Sequence, residues 1–284
     1  VNVRHEQAAA FMADGLARVT GQPGVCLVTS GPGATNLLTG VAAAHVAHSP
    51  VVTLVGGIER AHQGKDAFQE FDLLAMFRPV TKLAVQIQQV ERISELLQAA
   101  LRTAMSGRRG PVLVEIPRDV LSERLSPSAA PAPASYRPTH GAPPHPAAIA
   151  ETARLLGQAR RPLLHVGGGV SWAGAGDLVE RLSERGAIPI ITAYGRNDAV
   201  SNEHPLYVGP LGRAGAPEAA AVAQLNIDRH GPLAGDPPDL VVWGEGALDP
   251  GVTGDPAIMG RVQEVIAAVG APTIAGAVID DPDG

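Results

Sequence analysis

Apolar residues follow two alternating spacings along the first part of the chain. They recur every three to four residues at 6–19 (Ala8, Phe11, Met12, Leu16 and Val19), which predicts a helix. A short continuous apolar run at 25–28 predicts a strand that is covered on both faces. The same alternation predicts helices at 35–47 and 90–105 and strands at 51–55 and 111–116. Strands that alternate with helices indicate an α/β protein with a doubly wound parallel sheet.

The pattern changes after residue 125. Residues 126–146 are dense in Pro and Ala with hardly any charge, and they predict an extended linker. A second α/β unit is predicted by helices at 147–157 and 177–185, strands at 162–166 and 188–192, a glycine turn at 167–169 and a helix near 217–224. A short α/β tail follows, with strands at 239–243 and 273–279 around a helix at 256–269. We therefore predict four segments, 1–125, 126–146, 147–224 and 225–284.

Composition narrows the classes of function. The chain has 284 residues with 33 Gly and 25 Pro, which is typical of close-packed layers with many tight turns. A net charge of −6 argues against a nucleic-acid partner, and no apolar run is long enough for a membrane span. The single cysteine, Cys26, excludes an intramolecular disulfide and suggests a reducing, cytoplasmic location; inside a buried strand we expect it to pack.

Three motifs are candidates for chemistry. The sequence RHEQ at 4–7 places Glu6 at a helix N-terminus, where a carboxylate is favoured, so a capping role alone is one alternative. TSGPGATN at 29–36 lies between a strand and a helix, where glycines allow close backbone approach and open α/β sheets bind ligands. GKDAFQE at 64–70 can line a pocket or form a surface turn.

Taken together, these motifs resemble one enzyme family in order and spacing. RHEQAAAFMADG, TSGPGATN, DAFQE and the later GPVLVEIPRDV at 110–120 resemble the pyrimidine-binding domain of thiamine-diphosphate-dependent enzymes, and the nearest branch is the large subunit of acetolactate synthase. The resemblance covers residues 1–122. Residues 147–224 resemble the central domain of this family, through RPLLHVGGG and NEHPLYVG. We therefore expect a pyrimidine-binding domain and a partial, Rossmann-like central domain.

The resemblance implies thiamine diphosphate as the cofactor and a 2-oxo acid as the substrate. Glu6 matches the glutamate that hydrogen-bonds the aminopyrimidine ring and favours the imino tautomer that deprotonates the thiazolium carbon. We expect burial to raise the pKa of this carboxyl. The positions expected against the pyrimidine are Thr29, Ser30, Gly31, Pro32, Gly33 and Asn36.

Three further positions match residues that face the active site in this family. They are Phe68, Gln69 and Arg118. Arg118 stands where the synthases usually carry a lysine, and arginine and lysine are not interchangeable.

The resemblance also implies a diphosphate-binding domain that holds Mg²⁺ through a Gly-Asp-Gly segment. No Gly-Asp-Gly occurs in the 284 residues, and the strand and helix expected before Arg4 are not there either. We therefore expect an incomplete chain, inactive alone, that shares its cofactor with another domain and forms a homodimer through the pyrimidine domain. FAD binding by the central domain is an open alternative, since some members of the family hold FAD there and others do not.

The tail resembles a second family. PPDLVVWGEGALDP at 237–250 resembles the strand that carries the catalytic glutamate of nitrilase-type amidases, with apolipoprotein N-acyltransferases nearest. On that match Glu245 is a general base, but the chemistry also needs a lysine and a cysteine nucleophile, and no lysine follows Lys82. The alternatives to a thiamine-diphosphate enzyme are therefore a non-catalytic fragment used for dimerisation or regulation, and a truncated carbon–nitrogen hydrolase or N-acyltransferase fusion.

Overall fold

The computed structural model describes residues 1–124, 135–136, 143–212, 215–228, 241–243 and 273–275. The chain divides into two compact units, Val1–Gly141 and Ala142–Gly284. Both contain parallel sheets with intervening helices, which confirms the predicted α/β class. Most of the predicted linker, the predicted helix at 256–269 and Glu245 lie outside the described residues.

The first unit contains every helix and strand that the apolar pattern predicted there. Its elements are α1 (Glu6–Thr20), β1 (Gly24–Val28), α2 (Pro32–Val46), β2 (Val51–Gly57), α3 (Leu73–Phe77), β3 (Leu83–Gln86), α4 (Ile93–Met105), β4 (Val112–Pro117) and α5 (Arg118–Ser122). The pattern did not predict α3, β3 and α5. Each of these has six residues or fewer, too short to show a helical or strand period.

The sheet of this unit has the strand order β1-β2-β4-β3, and all of its pairs are parallel. Successive residues of the central strand β4 enter different cores: Leu113 joins the cluster that contains Leu37 and Phe77, whereas Val112 and Val114 join the cluster against α4. This alternation follows from the pleat, which points neighbouring side chains to opposite faces. The two helical layers therefore cover β2 and β4 on both sides.

Strand β1 is different, and the expectation that it is covered on both faces was wrong. Val25 and Leu27 are 54% and 73% exposed, whereas Cys26 between them is buried. The reason is that β1 is an edge strand, and α4 packs on β2 and β4. Cys26 packs in the core as predicted, and its burial raises the pKa of the thiol to about 12.

Helix α1 packs on α2 and β1 through small residues. Ala10, Ala13 and Ala17 are buried, and a Cβ added at Gly40 of α2 would lie only 2.5 Å from the Ala10 Cβ. The apolar stripe that predicted this helix lies on its other side. We call the exposed residues Phe11, Met12, Leu16 and Val19 the α1 apolar face.

The second unit contains a five-stranded sheet. Its elements are α6 (Pro146–Gln158), β5 (Leu164–Val166), α7 (Gly168–Ala173), α8 (Gly176–Gly186), β6 (Ile190–Thr192), β7 (Tyr207–Pro210), α9 (Pro217–Asp228), β8 (Val241–Trp243) and β9 (Thr273–Ala275). The strand order is β7-β6-β5-β8-β9, with all pairs parallel.

Two features of the second unit differ from the sequence pattern. The glycine segment expected as a turn at 167–169 contains the first residues of α7. The strands expected in a separate tail belong to the same sheet as β5, because β8 pairs with β5 and β9 with β8. The boundary at residues 224 and 225 stays a prediction. Among the described residues, no helix has the length and apolarity needed to cross a bilayer.

Candidate active site

The first turn of α1 holds Glu6 without using it as the helix cap. His5 is the N-cap residue, and its Nδ1 accepts the Gln7 backbone N–H at 3.2 Å. The helix ends at Gly21, which takes the left-handed conformation with a φ of 67°. Because His5 caps α1, the carboxylate of Glu6 lies at the positive end of the helix dipole and does not serve as the cap.

The amide of Asn36 on α2 holds this carboxylate. Its Nδ2 donates to Glu6 Oε2 at 3.0 Å. This hydrogen bond, more than any other contact, lowers the pKa of Glu6 below its usual value. The expected rise through burial was wrong, because the side chain is only half-buried and a hydrogen bond to the ionised form outweighs desolvation.

The glycine turn after β1 brings the other predicted residues to the same place. A Cβ on Gly33 would lie 2.8 Å from Thr29 Cγ2 and 3.7 Å from Glu6 Oε1, so only glycine fits there without movement. Pro32 occupies the first turn of α2, where a missing backbone N–H costs nothing. Glu6, Thr29, Gly33 and Asn36 therefore form one corner at the N-termini of α1 and α2.

The turn also contacts the loop at 64–70. Gly31 has a φ of 58°, and a Cβ there would lie 2.7 Å from the Gln69 Cβ. Ser30 Oγ donates to Gln69 Oε1 at 3.3 Å. Ser30 and Gln69 are 39 positions apart in the sequence, yet the structure brings Gln69 into contact with both Ser30 and Gly31.

Two of the predicted site residues are not joined to this corner. Phe68 is 89% exposed, and Arg118 is exposed at the start of α5. Its neighbour Asp119 pairs instead with Arg60, whose backbone N–H donates to Asp119 Oδ1 at 3.1 Å and whose Nε donates to Oδ2 at 2.5 Å. Arg60 also pairs with Glu123. The loop after β2 is thereby attached to α5, beside Arg118.

Three carboxylates with no role predicted from the sequence line a cavity of about 240 Å³ in the first unit. They are Glu70, Asp72 and Glu115. In the sequence, Glu115 is the one charged residue within an apolar strand, which is the signal that could have identified it. In the structure, only 6% of its surface is exposed. Burial is the main cause that raises its pKa, a hydrogen bond with Gln86 opposes the rise, and the charge of Asp72 adds to it.

We expect Glu115→Gln to stabilise the protein more at pH 7 than at pH 4.5. The folded protein binds the proton of Glu115 more tightly than the unfolded chain does, because the pKa is raised in the folded state. The resulting stabilisation is fully present below the ordinary glutamate pKa, and it is lost as the pH rises through the raised pKa. Glutamine does not titrate, so the difference in unfolding free energy should grow with pH, by about 1.4 kcal/mol for each unit of raised pKa.

Urea unfolding at pH 4.5, 5.5 and 7 measures this difference. The matched control is Glu91→Gln, since Glu91 is exposed. A difference between Glu115→Gln and the original protein that stays constant over this pH range would contradict the prediction.

In the ranges that the structure describes, no three His, Cys, Asp or Glu side chains are grouped to hold a metal ion. What the corner offers is an ionised carboxylate at a helix N-terminus, an amide that fixes it and a glycine surface without side chains. These groups fit a flat ring that donates a hydrogen bond, such as an aminopyrimidine.

Two models of known families match this chain. The N-terminal TPP binding domain of thiamine pyrophosphate enzymes matches residues 1–76, and the central domain of the same enzymes matches residues 149–228. The chain belongs to the family of thiamine pyrophosphate enzymes. The first match contains the whole corner formed by Glu6, Thr29, Gly33 and Asn36, together with Gln69.

Within this family the chain is similar to large subunits of acetolactate synthase. It is 43% identical over 231 residues to a probable acetolactate synthase large subunit of Methanocaldococcus jannaschii, covering 79% of this chain and 38% of the relative. It is 37% identical over 258 residues to the large subunit of Corynebacterium glutamicum, covering 90% and 39%. It is 41% identical over 223 residues to the large subunit of acetolactate synthase isozyme 3 of Escherichia coli, which covers 77% of this chain and 38% of the relative. The chain thus spans less than two fifths of the length of these relatives.

Proposed function

We propose that this chain supplies the pyrimidine-facing surface of a thiamine-diphosphate-dependent transferase or lyase that acts on 2-oxo acids, as an acetolactate synthase-like protein. The observation that carries the proposal is the hydrogen bond from Asn36 to Glu6 beside the glycine at position 33. Family membership and the similarity to acetolactate synthases support it.

In this proposal Glu6 holds and moves the proton of the ring. The hydrogen bond from Asn36 lowers the pKa of Glu6 and favours the ionised carboxylate, which accepts a hydrogen bond from a ring N–H. A ring that covers this half-buried side chain removes water and raises its proton affinity. Asn36 keeps Oε2 in place while Oε1 faces the glycine surface. When bound, thiamine diphosphate supplies the electron sink for decarboxylation of the 2-oxo acid.

The substrate side of the site is assigned to the loop at 64–70 and to α5. Gln69 already lies against Ser30 and Gly31, and we propose that its amide faces the substrate. Phe68, exposed beside it, provides an apolar wall, and Arg118 pairs with the carboxylate of the 2-oxo acid. These three roles rest on position alone.

In this proposal the diphosphate and Mg²⁺ are held by groups outside the corner. The sequence has no Gly-Asp-Gly segment, and the described residues contain no group of three metal-ligating side chains. We propose that a diphosphate-holding domain supplies them, as the resemblance implies.

Dimer formation belongs to the same proposal. The α1 apolar face is a continuous exposed apolar surface on the helix that carries Glu6. We propose that a second copy of this chain covers it, which gives a homodimer through the pyrimidine-binding unit. Such an isologous contact buries the same residues twice and stabilises both copies of α1.

FAD is not part of the proposal. The glycine segment after β5 is the place where a dinucleotide could approach the backbone, but Arg196 Nε lies 3.2 Å from the Cβ position of Gly168. The same guanidinium stacks on the Trp172 ring, 4.9 Å from its centroid. This space is therefore filled by the chain itself. A cytoplasmic location also stays a prediction, based on the single cysteine.

The test uses the aminopyrimidine half of thiamine as a probe in NMR titrations of the full chain. We expect shifts confined to the amides of Glu6, Gly33 and Asn36, with millimolar affinity. Calorimetry with thiamine diphosphate and Mg²⁺ should show binding weaker than micromolar for the chain alone. Adding the diphosphate-holding domain of an acetolactate synthase should tighten binding and release CO₂ from pyruvate.

The NMR titration and the calorimetry each have a result that would contradict the proposal. No shift at Glu6, Gly33 and Asn36 would contradict the pyrimidine site. Micromolar binding by the chain alone would contradict the need for a second domain.

A second candidate is a non-catalytic module that uses the same fold to dimerise, and the α1 apolar face favours it. Dimer formation together with no CO₂ release in the reconstituted mixture would select this candidate. The nitrilase-type assignment of Glu245 stays a prediction, because this residue lies outside the described residues.

A further inference from the structure

We propose that Glu70 is a positioning residue that holds Gln69 against the turn at Ser30 and Gly31. The role rests on the proposed function, since it matters to catalysis only if this turn meets the cofactor. Glu70 itself contacts neither Glu6 nor the glycine turn through any described hydrogen bond. It acts on Gln69 through the shape of the loop.

The carboxylate of Glu70 bridges two backbone N–H groups of this loop. One oxygen, Oε1, accepts the backbone N–H of Gly64, and Oε2 accepts the backbone N–H of Ala67 at 2.9 Å. These two hydrogen bonds are the largest causes that lower the pKa of Glu70. Charge-assisted bonds of this kind are stronger than neutral ones, so the ionised carboxylate closes the loop on itself.

The closed loop needs unusual backbone conformations. Gly64 has a φ of 74°, Asp66 of 53° and Gln69 of 66°. The left-handed region is unfavourable for residues with a Cβ, and here two of the three residues have one. Such conformations persist only where surrounding contacts enforce them, and the Glu70 bridge spans this very segment.

The conformation of Gln69 determines its contact with the glycine turn. The backbone oxygen and the Cβ of Gln69 lie 3.0 and 2.7 Å from the position that a Cβ on Gly31 would take. The side chain adds the hydrogen bond from Ser30 at 3.3 Å. If Gln69 left the left-handed region, both its backbone and its amide would move away from the turn. Glu70 thus fixes, through the loop, a residue that we place in the substrate-facing wall.

The experiment compares Glu70→Gln with Glu91→Gln, the same change at an exposed position. Glutamine offers one acceptor oxygen, so only one of the two N–H groups can keep its partner. We expect the amide that loses its partner, that of Gly64 or that of Ala67, to exchange about 10- to 100-fold faster in Glu70→Gln. The nuclear Overhauser contact between Gln69 and Gly31 should disappear, while the melting temperature changes little. Glu91→Gln should match the original protein in all three measurements.

A second variant separates positioning from general stability. Adding Asp66→Gly to Glu70→Gln removes the backbone cost at position 66, where glycine takes a positive φ freely. We expect the contact between Gln69 and Gly31 to return in this double variant. A general loss of stability would not be rescued in this way.

The outcomes distinguish this inference from the proposed function. If Glu70→Gln keeps the contact between Gln69 and Gly31, Glu70 does not position Gln69. If the contact is lost in Glu70→Gln and returns in the double variant, Glu70 positions Gln69 whatever the probe shows. If the original protein fails to bind the aminopyrimidine probe, the proposed function is wrong, and the contact still decides the role of Glu70.

Discussion

Glu6→Gln is expected to lower the rate of pyruvate decarboxylation by about 10²- to 10⁴-fold when the chain is combined with a diphosphate-holding domain. Glutamine keeps the length of the side chain and can still accept the hydrogen bond from Asn36. Its ring-facing atom is then the amide nitrogen, which neither takes up nor releases a proton at neutral pH. The change therefore removes the chemistry of the corner and leaves its shape.

CO₂ release at saturating thiamine diphosphate and Mg²⁺ measures this effect. Glu91→Gln is the control, and circular dichroism with thermal melting shows that both variants are folded. The variant should bind the aminopyrimidine probe more weakly, because a charge-assisted hydrogen bond becomes a neutral one. Retention of more than a tenth of the original rate by Glu6→Gln would remove Glu6 from the mechanism.

The corner around Glu6 could be predicted to a large extent, since its residues lie in two short motifs next to predicted helix starts. The sequence placed Glu6 and the segment 29–36 at helix N-termini, and the structure brings Glu6, Gly33 and Asn36 together there. The pKa of Glu6 could not be predicted in the same way. Its sign depends on the competition between burial and one hydrogen bond from Asn36, 30 positions away.

The loop at 64–70 shows where local patterns stop being informative. The DAFQE motif predicted Gln69 as a candidate, but the contact of Gln69 with Gly31 depends on three left-handed residues and on the Glu70 bridge. No propensity predicts a left-handed glutamine. Glu115 was missed for a related reason, because burial of a charge in a strand depends on the sheet order, which places β4 between β2 and β3.

The fold of the first unit followed from apolar spacing, but the spacing did not reveal which surface each element buries. Ala8, Phe11, Met12, Leu16 and Val19 predicted α1 correctly, yet the residues that α1 buries are the small ones, Ala10 and Ala17 among them. Alanine allows α1 and α2 to approach closely at Gly40. Periodicity detects an apolar stripe and does not say whether its partner is the same chain or another one.

Leu16→Asp is therefore expected to convert a homodimer into a monomer. Leu16 is 54% exposed in the single chain and lies within the α1 apolar face. Burial of an unpaired carboxylate in an apolar contact costs at least about 1 to 3 kcal/mol of association free energy. An isologous dimer contains the substitution twice, so the cost is paid in both copies. The dimer should weaken by about 100-fold or more, measured by analytical ultracentrifugation at micromolar concentration.

The matched control is Leu121→Asp, the same substitution on α5 at a residue that is 56% exposed. This substitution adds the same charge to the same unit, but residue 121 lies outside the α1 apolar face. The dimer of Leu121→Asp should therefore have the same dissociation constant as the dimer of the original protein. The two variants thus separate the loss of a specific apolar contact from the general effect of added negative charge. A dimer that persists in Leu16→Asp, or that weakens equally in both variants, would show that the contact between copies uses another surface. A monomeric original protein would contradict the proposed homodimer itself.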